Sequence, residues 1–223
     1  MKLIIFDFDG TLIDTRQDII VAVNYARTRF GLPALDDEEI TSMVGDGISS
    51  LTRRAFSGTS VDLSEAEKTI FTYYRSHPMD YARPYPEVAE TLPLIKAIRT
   101  IISNKPVSLI RMLLGLTKLE SYFDFVAGGD TFEARKPDPM GVHFLLDRYS
   151  ISRDEAVMVG DHAPDIEMAK RAGIRSVYCN YGFFGKDTVG ADFTIDSFEE
   201  LVNIPELNLR RNPDCESIRH LGF

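Results

Sequence analysis

The sequence predicts an α/β protein: a parallel five-stranded sheet with helices on both faces, carrying an all-helical segment inserted after its first strand. Three observations lead there. Leu3-Ile4-Ile5-Phe6 is an unbroken apolar run of strand length, as expected for a strand buried on both faces. From about residue 88 onward, short apolar runs alternate with stretches of helical period. Between Asp14 and Arg83, by contrast, nothing resembles a strand.

The elements follow in order. The first strand ends in Asp7-Phe8-Asp9-Gly10-Thr11-Leu12, where glycine lets the chain turn sharply. Asp14 or Thr15 can cap a helix whose apolar positions Ile19, Ile20, Val23, Ala26 and Phe30 recur at three- and four-residue steps, and Gly31-Leu32-Pro33 stops it. Asp36 to Met43 reads as a second helix, Gly45-Asp46-Gly47 as a flexible break, and Ile48 to Phe56 as a third helix. A fourth helix opens at Ser64 and runs toward His77. Arg83-Pro84-Tyr85-Pro86 is a stiff return linker. The expected division is a core of residues 1–14 and 84–223 with a helical cap of residues 15–83.

Within the core, a helix from Val88 to about Ile98 precedes a strand over Thr100 to Ser103. Helices over Ser108 to Leu114, Met140 to Tyr149 and Asp165 to Ala172 then alternate with strands over Phe125 to Gly128, Ala156 to Gly160 and Ser176 to Cys179. The junction near Ile98 has no glycine and almost no loop, so either the helix ends earlier or the strand is shorter than drawn. The tail from Pro205 is polar and is assigned no element.

Composition narrows the function classes. At 223 residues and 44% hydrophobic content, the chain suits one sizeable folded domain with an insertion. A net charge of −9 argues against nucleic acid or an anionic membrane as partner. It leaves an anionic small molecule open, because such a molecule responds to local potential. Cys179 and Cys215 match no metal-ligand spacing and make no disulfide framework, so they read as ordinary residues of a reducing compartment. The chain shows no charged-then-apolar leader and no apolar run near the roughly 20 residues needed to span a membrane. A cytoplasmic protein, monomeric or homodimeric, is expected.

Polar clusters follow the apolar runs: Asp7 and Asp9 after the first, Ser103-Asn104-Lys105 after the second, and Gly160-Asp161 with Asp165 after the fourth. Lys136, before Pro137, lies in the loop after the third. In an open parallel sheet these loops share one edge, where ligands bind. Carboxylates gathered there repel one another unless a cation sits among them, and an all-oxygen set beside a phosphate suits Mg²⁺ better than zinc.

Asp7-Phe8-Asp9-Gly10-Thr11-Leu12, Ser103-Asn104, Lys136-Pro137 and Gly160-Asp161 with Asp165 resemble, in order, the four motifs of the haloacid dehalogenase superfamily. The resemblance runs to about Leu201, including Tyr181-Gly182 and Ala191-Asp192, and looks most like the phosphoglycolate-phosphatase-like branch. It implies a Rossmann-like core with a helical cap, and a Mg²⁺-dependent phosphatase acting on a small phosphorylated metabolite through an aspartyl-phosphate. By that resemblance Asp7 is the nucleophile and Asp9 the general acid and base. Ser103 and the Asn104 amide bind the phosphoryl group, and Lys136 clamps it. The metal takes Asp7, the backbone carbonyl at Asp9, Asp161 and, directly or through water, Asp165.

Alternatives stand beside this reading. An aspartate at position 9 points to phosphoesters, since members that cleave carbon–halogen or carbon–phosphorus bonds lack it. A sugar phosphomutase or phosphotransferase keeps that aspartate, but similar mutases carry a cap histidine where this chain has Ile19. A pyrophosphatase, a nucleotidase or a non-catalytic binding protein complete the rivals. Substrate choice is expected in the cap, with the Gly45 loop reaching the leaving group and Arg53 or Arg54 meeting a carboxylate or remaining a solvated helix charge. Thr11 reads either as turn support or as a substrate contact, and Asp165 either as a metal ligand or as a helix cap. Lys105 and His162 read as surface residues, and Asp14 as a cap.

Overall fold

The computed structural model describes residues 1–209. The chain opens with β1 (Leu3–Phe6), turns at Gly10 and enters the short β2 (Ile13–Asp14). Four helices follow: α1 (Arg16–Arg29), α2 (Asp37–Ser42), α3 (Ile48–Ala55) and α4 (Leu63–Ser76). β3 (Arg83–Pro84) brings the chain back antiparallel to β2, pairing Ile13 with Pro84 and Asp14 with Arg83. The remainder alternates: α5 (Val88–Thr91), β4 (Ile98–Ile102), α6 (Val107–Thr117), β5 (Phe125–Ala127), α7 (Met140–Tyr149), β6 (Ala156–Gly160), α8 (Ala163–Ala172), β7 (Arg175–Cys179) and β8 (Phe193–Ile195).

The main sheet has six strands in the order β5-β4-β1-β6-β7-β8, with every neighbouring pair parallel. β1 sits inside it, with Leu3 opposite Ile98 on one side and Ala156 on the other. Successive connections run outward from β1 in opposite directions, so its carboxyl end is the place where the strand order reverses and a crevice opens. The four β1 side chains are wholly buried because both faces are covered. Ile4 and Phe6 pack with Leu109, Ile110 and Leu113 of α6, whereas Leu3 and Ile5 pack with Leu145 of α7 and Met168 of α8.

Two expectations change. The sheet has a sixth strand: β8 is only three residues long and its burial alternates, so it lacks the apolar run that marked the others. The helix expected from Val88 to Ile98 stops at Thr91, passes into a 3₁₀ turn over Leu92–Leu94, and frees residues from Ile98 for β4. Pro93 explains the early stop, since it has no N–H to donate and its ring crowds the preceding turn. The stiff return linker begins as a short strand, Arg83-Pro84, paired with the outgoing chain.

The two crossings are further tied at Asp18. Its carboxylate accepts hydrogen bonds from the backbone N–H of Tyr81 at 3.0 Å and of Ala82 at 2.7 Å, and burial pushes its pKa up. The tail beyond Pro205, left without an element from sequence, forms a 3₁₀ turn over Pro205–Leu207 and buries Leu207 and Leu209. Cys215 lies outside the described residues. Among the described residues no helix is long and apolar enough to cross a membrane.

Candidate active site

The site is built on the end of β1. The Asp7 backbone N–H donates to the Val159 carbonyl at 2.9 Å, so Asp7 continues the ladder while its side chain reaches the sheet edge. Gly10 then turns the chain with φ of +84°, and a Cβ there would overlap the Asp161 carboxylate. Glycine is required at this position both for its backbone angle and for the space it leaves beside Asp161.

Asp7, Asp161 and Asp165 converge, each offering an oxygen within 4.8 Å of the others, and all three are buried. One ammonium serves two of the three. Lys136 Nζ lies 2.7 Å from Asp7 Oδ1 and 2.6 Å from Asp165 Oδ1. The Asp7 contact is an ion pair off the hydrogen-bond line, which leaves Oδ1 a buried acceptor without a hydrogen-bond donor. Asp161 Oδ1 accepts from Thr11 Oγ1 at 2.9 Å and Oδ2 from the Phe183 N–H at 2.8 Å. Thr11 therefore orients Asp161, and turn support is the reading its geometry favours. Asp165 accepts the His162 N–H at 3.1 Å, so it caps α8 and holds Lys136 at once.

Electrostatics follow from this crowding. Burial raises the Asp7 pKa to about 6; Lys136 opposes that rise and the Asp165 charge adds to it. Asp161 is pushed well above the usual carboxylate range by burial, then by Asp7 and Asp165. For Lys136, burial favours loss of its proton, but Asp165 and Asp7 more than offset it and the amine stays charged.

Asp9 points elsewhere. Its Oδ1 accepts from Thr15 Oγ1 at 2.6 Å and from Lys105 Nζ at 2.9 Å. Lys105 also lies 3.0 Å from the Tyr74 hydroxyl, on α4 of the inserted helices. The expectation of a surface lysine is wrong: Lys105 is buried beside the site. Its position directly after the strand-end pair Ser103-Asn104 was the available signal, but the partner that defines its role is 96 residues away in sequence. His162 is likewise no surface variation. It is only partly exposed, its ring stacks on Phe184 with centroids 3.9 Å apart, and burial lowers its pKa.

Asn104 works as a cross-link: its side chain donates to the Gly45 carbonyl at 2.9 Å and the Lys136 carbonyl at 3.2 Å, and accepts from the Lys136 N–H at 3.1 Å. Gly45, with φ of +108°, passes so close to His162 that a Cβ would overlap its ring. Ser103 is buried at the end of β4 and faces the same cavity. That cavity, of about 720 Å³ including its open mouth, is shared between the sheet edge and the inserted helices. Asp7, Asp9, Ser103, Asn104, Lys105 and Gly45 all line it.

Arg53 and Arg54 are not brought there. α3 buries Leu51 and Ala55 one turn apart, which leaves the two arginines exposed. Arg54 pairs with Asp46 and donates to the Met43 carbonyl at 3.1 Å, while Arg53 borders a separate surface hollow with Ser49 and Glu67. Asp14 accepts the Arg16 N–H at 3.2 Å, a local turn contact at the start of α1.

A parallel sheet whose reversal point carries two aspartates, with a lysine and two further aspartates arriving from later loops, is the arrangement of haloacid dehalogenase-like hydrolases. The sequence model of the family described as Haloacid dehalogenase-like hydrolase matches residues 4–179, and the chain belongs to this family. Within it, the chain is 35% identical over 215 residues to the phosphoglycolate phosphatase of Chromobacterium violaceum, covering 92% of this chain and 96% of that one. It is 32% identical over 207 residues to the phosphoglycolate phosphatase of Aquifex aeolicus, with the same two coverages of 92% and 96%. Among solved structures, one described as a predicted phosphoglycolate phosphatase from Haemophilus somnus has a TM-score of 0.87 at 25% identity, over 92% of this chain and 98% of that one. CbbY from Rhodobacter sphaeroides, solved with phosphate, shares the fold with a TM-score of 0.80 at 21% identity, over 94% and 100% of the two chains.

Proposed function

We propose that the protein is a Mg²⁺-dependent phosphatase that hydrolyses a small phosphate monoester, of the phosphoglycolate kind, through an aspartyl-phosphate on Asp7, with residues 15–83 acting as its cap. The observation that carries this is the pair Asp7 and Asp9 at one strand end. One is held among carboxylates beside Lys136, and the other faces the cavity where an alcohol would leave.

The residues fit the metal. Three buried carboxylates converge while one ammonium meets only Asp7 and Asp165, Asp7 Oδ1 has no hydrogen-bond donor, and the available donors are oxygens of the hard kind that Mg²⁺ prefers. Asp7, Asp161 and Asp165 would hold the ion, with the Asp9 backbone carbonyl as the family resemblance implies. Bound there, Mg²⁺ supplies charge neutralisation for the phosphoryl oxygens.

Asp7 attacks the phosphorus in line, forming an oxygen–phosphorus bond as the ester bond to the alcohol breaks. Asp9, at the cavity wall, gives its proton to the departing alkoxide. A water molecule then attacks the phosphorus of the acyl phosphate and gives its proton to Asp9; inorganic phosphate leaves and the Asp7 carboxylate is restored. Lys136 holds Asp7 ionised and meets the phosphoryl charge, and Ser103 offers a hydroxyl to the same group. Ile19 lines the cavity where the similar mutases carry histidine, which supports hydrolysis over transfer to an acceptor sugar.

Phosphate release from an aryl phosphate and from a panel of metabolites, with and without chelator, tests the reading. Asp7→Asn should abolish release while keeping the fold. Undiminished release by that variant rejects the nucleophile, and full activity in excess chelator rejects the metal.

A further inference from the structure

Ile19, Ala22, Val44, Leu51 and Ile70 make much of the cavity wall apolar. Among the described residues that line it, Lys105 is the one lysine or arginine. Its Nζ contacts Asp9 Oδ1 at 2.9 Å, Asp9 Oδ2 at 3.3 Å and the Tyr74 hydroxyl at 3.0 Å. Placing an ammonium in such a wall is costly without an anionic partner. Nor is Asp9 dependent on it for placement, because Thr15 Oγ1 already donates to Asp9 at 2.6 Å. With Arg53 and Arg54 outside the cavity, a negative group on the alcohol half of a substrate has a single cation to meet.

The distances select the kind of alcohol. An ester oxygen hydrogen-bonded to Asp9 lies roughly 2.8 Å from that carboxylate. Lys105 Nζ is 2.9 Å from the same carboxylate, on the cavity side. A second anionic group one carbon removed from the ester oxygen therefore comes within hydrogen-bonding reach of the ammonium. A group several carbons away would instead be carried among Ile70, Leu51 and Val44, where nothing compensates its charge.

We propose that Lys105 is the specificity-determining residue of this site, reading the carboxylate on the leaving alcohol of a phosphoglycolate-like ester. The proposal rests on the phosphatase reading above. On binding, one N–H of Lys105 turns from Asp9, which keeps Thr15, to the substrate carboxylate, while Tyr74 continues to hold the amine. Because Tyr74 belongs to α4, the inserted helices position the lysine as well as cover it. The apolar wall strengthens the pairing by excluding water from it.

The test compares phosphate release from phosphoglycolate and from 2-hydroxyethyl phosphate, which has the same chain length with a hydroxyl in place of the carboxylate. Wild type, Lys105→Met and Lys105→Arg are assayed with Mg²⁺, and each is checked by its melting curve. Wild type should favour phosphoglycolate by about tenfold or more in kcat/KM, the range of a hydrogen bond to a charged group. Lys105→Met slows both esters, since Asp9 loses a neighbour, but the preference should fall by roughly tenfold or more, chiefly through KM, and Lys105→Arg should retain it. Equal losses for both esters in Lys105→Met would mean that the lysine only holds Asp9, and would overturn the proposal. A wild-type enzyme without preference overturns it too, whether or not the variants fold. Release from an aryl phosphate but not from phosphoglycolate defeats this inference and the phosphoglycolate kind of substrate while leaving the phosphatase chemistry standing; release from no ester at all defeats the phosphatase reading and this inference with it.

Discussion

Lys136→Met is the sharpest probe of the carboxylate cluster. Methionine matches the length of lysine but removes the charge that lies 2.7 Å from Asp7 and 2.6 Å from Asp165, with side-chain exposures of 3%, 9% and 0% for the three residues. Breaking a buried ion pair by deleting one partner costs about 3–5 kcal/mol. For a chain of this size that corresponds to a fall in melting temperature of roughly 6–20 °C. The effect must depend on pH. The folded-state pKa of Asp7 is raised to about 6, above its ordinary value, so the folded protein holds a proton that the unfolded chain has lost; this stabilisation fades as pH rises through that range. Removing Lys136 takes away the influence that opposes the rise, so the variant should lose more stability between pH 5 and pH 8 than wild type does. Urea unfolding of chelator-treated protein at the two pH values measures this. A cost below about 1 kcal/mol at pH 8, or a larger cost at pH 5, would refute the idea that one lysine neutralises the cluster.

Other predictions follow the same physics. Mg²⁺ should raise the melting temperature more at pH 8 than at pH 5, because protons on Asp7 and Asp161 compete with the ion; saturation at a hundred times Kd contributes about 2.7 kcal/mol. Gly45→Ala puts a Cβ against His162 at a φ of +108° and displaces the carbonyl that Asn104 holds. Its phosphatase activity should fall by about tenfold or more while the melting temperature drops by roughly 2–12 °C, a strain of about 1–3 kcal/mol. Asp18→Ala leaves the N–H groups of Tyr81 and Ala82 without their acceptor, each worth about 1–3 kcal/mol, and should lower the melting temperature clearly.

Much of this molecule is legible before any coordinates. Leu3–Phe6 announces a two-sided strand because every residue in it is apolar, and the helix boundaries of α7 and the strand boundaries of β6 agree with their periodicity. Elements without a strong local pattern are absent from that reading or drawn at the wrong length. β8 has three residues and one exposed side chain, and α5 is cut short by a proline whose effect depends on how the next strand is reached. The site divides in the same way. Asp7, Asp161, Asp165 and Lys136 could be gathered from motif order, since strand ends of a parallel sheet share one edge.

What the sequence determined alone is the fold class and the sheet edge at which the carboxylates and Lys136 gather. These depend on local apolar period and on chain order, both of which are visible in one dimension. Only the tertiary structure decided where the long side chains turn. Lys105 and Arg53 are each a cation beside a plausible site in sequence, yet one is drawn inward by Asp9 and Tyr74 while the other faces water across α3. A flexible, charged side chain takes its direction from partners far away in the chain, and the energy that fixes it exists only once the fold has brought those partners together.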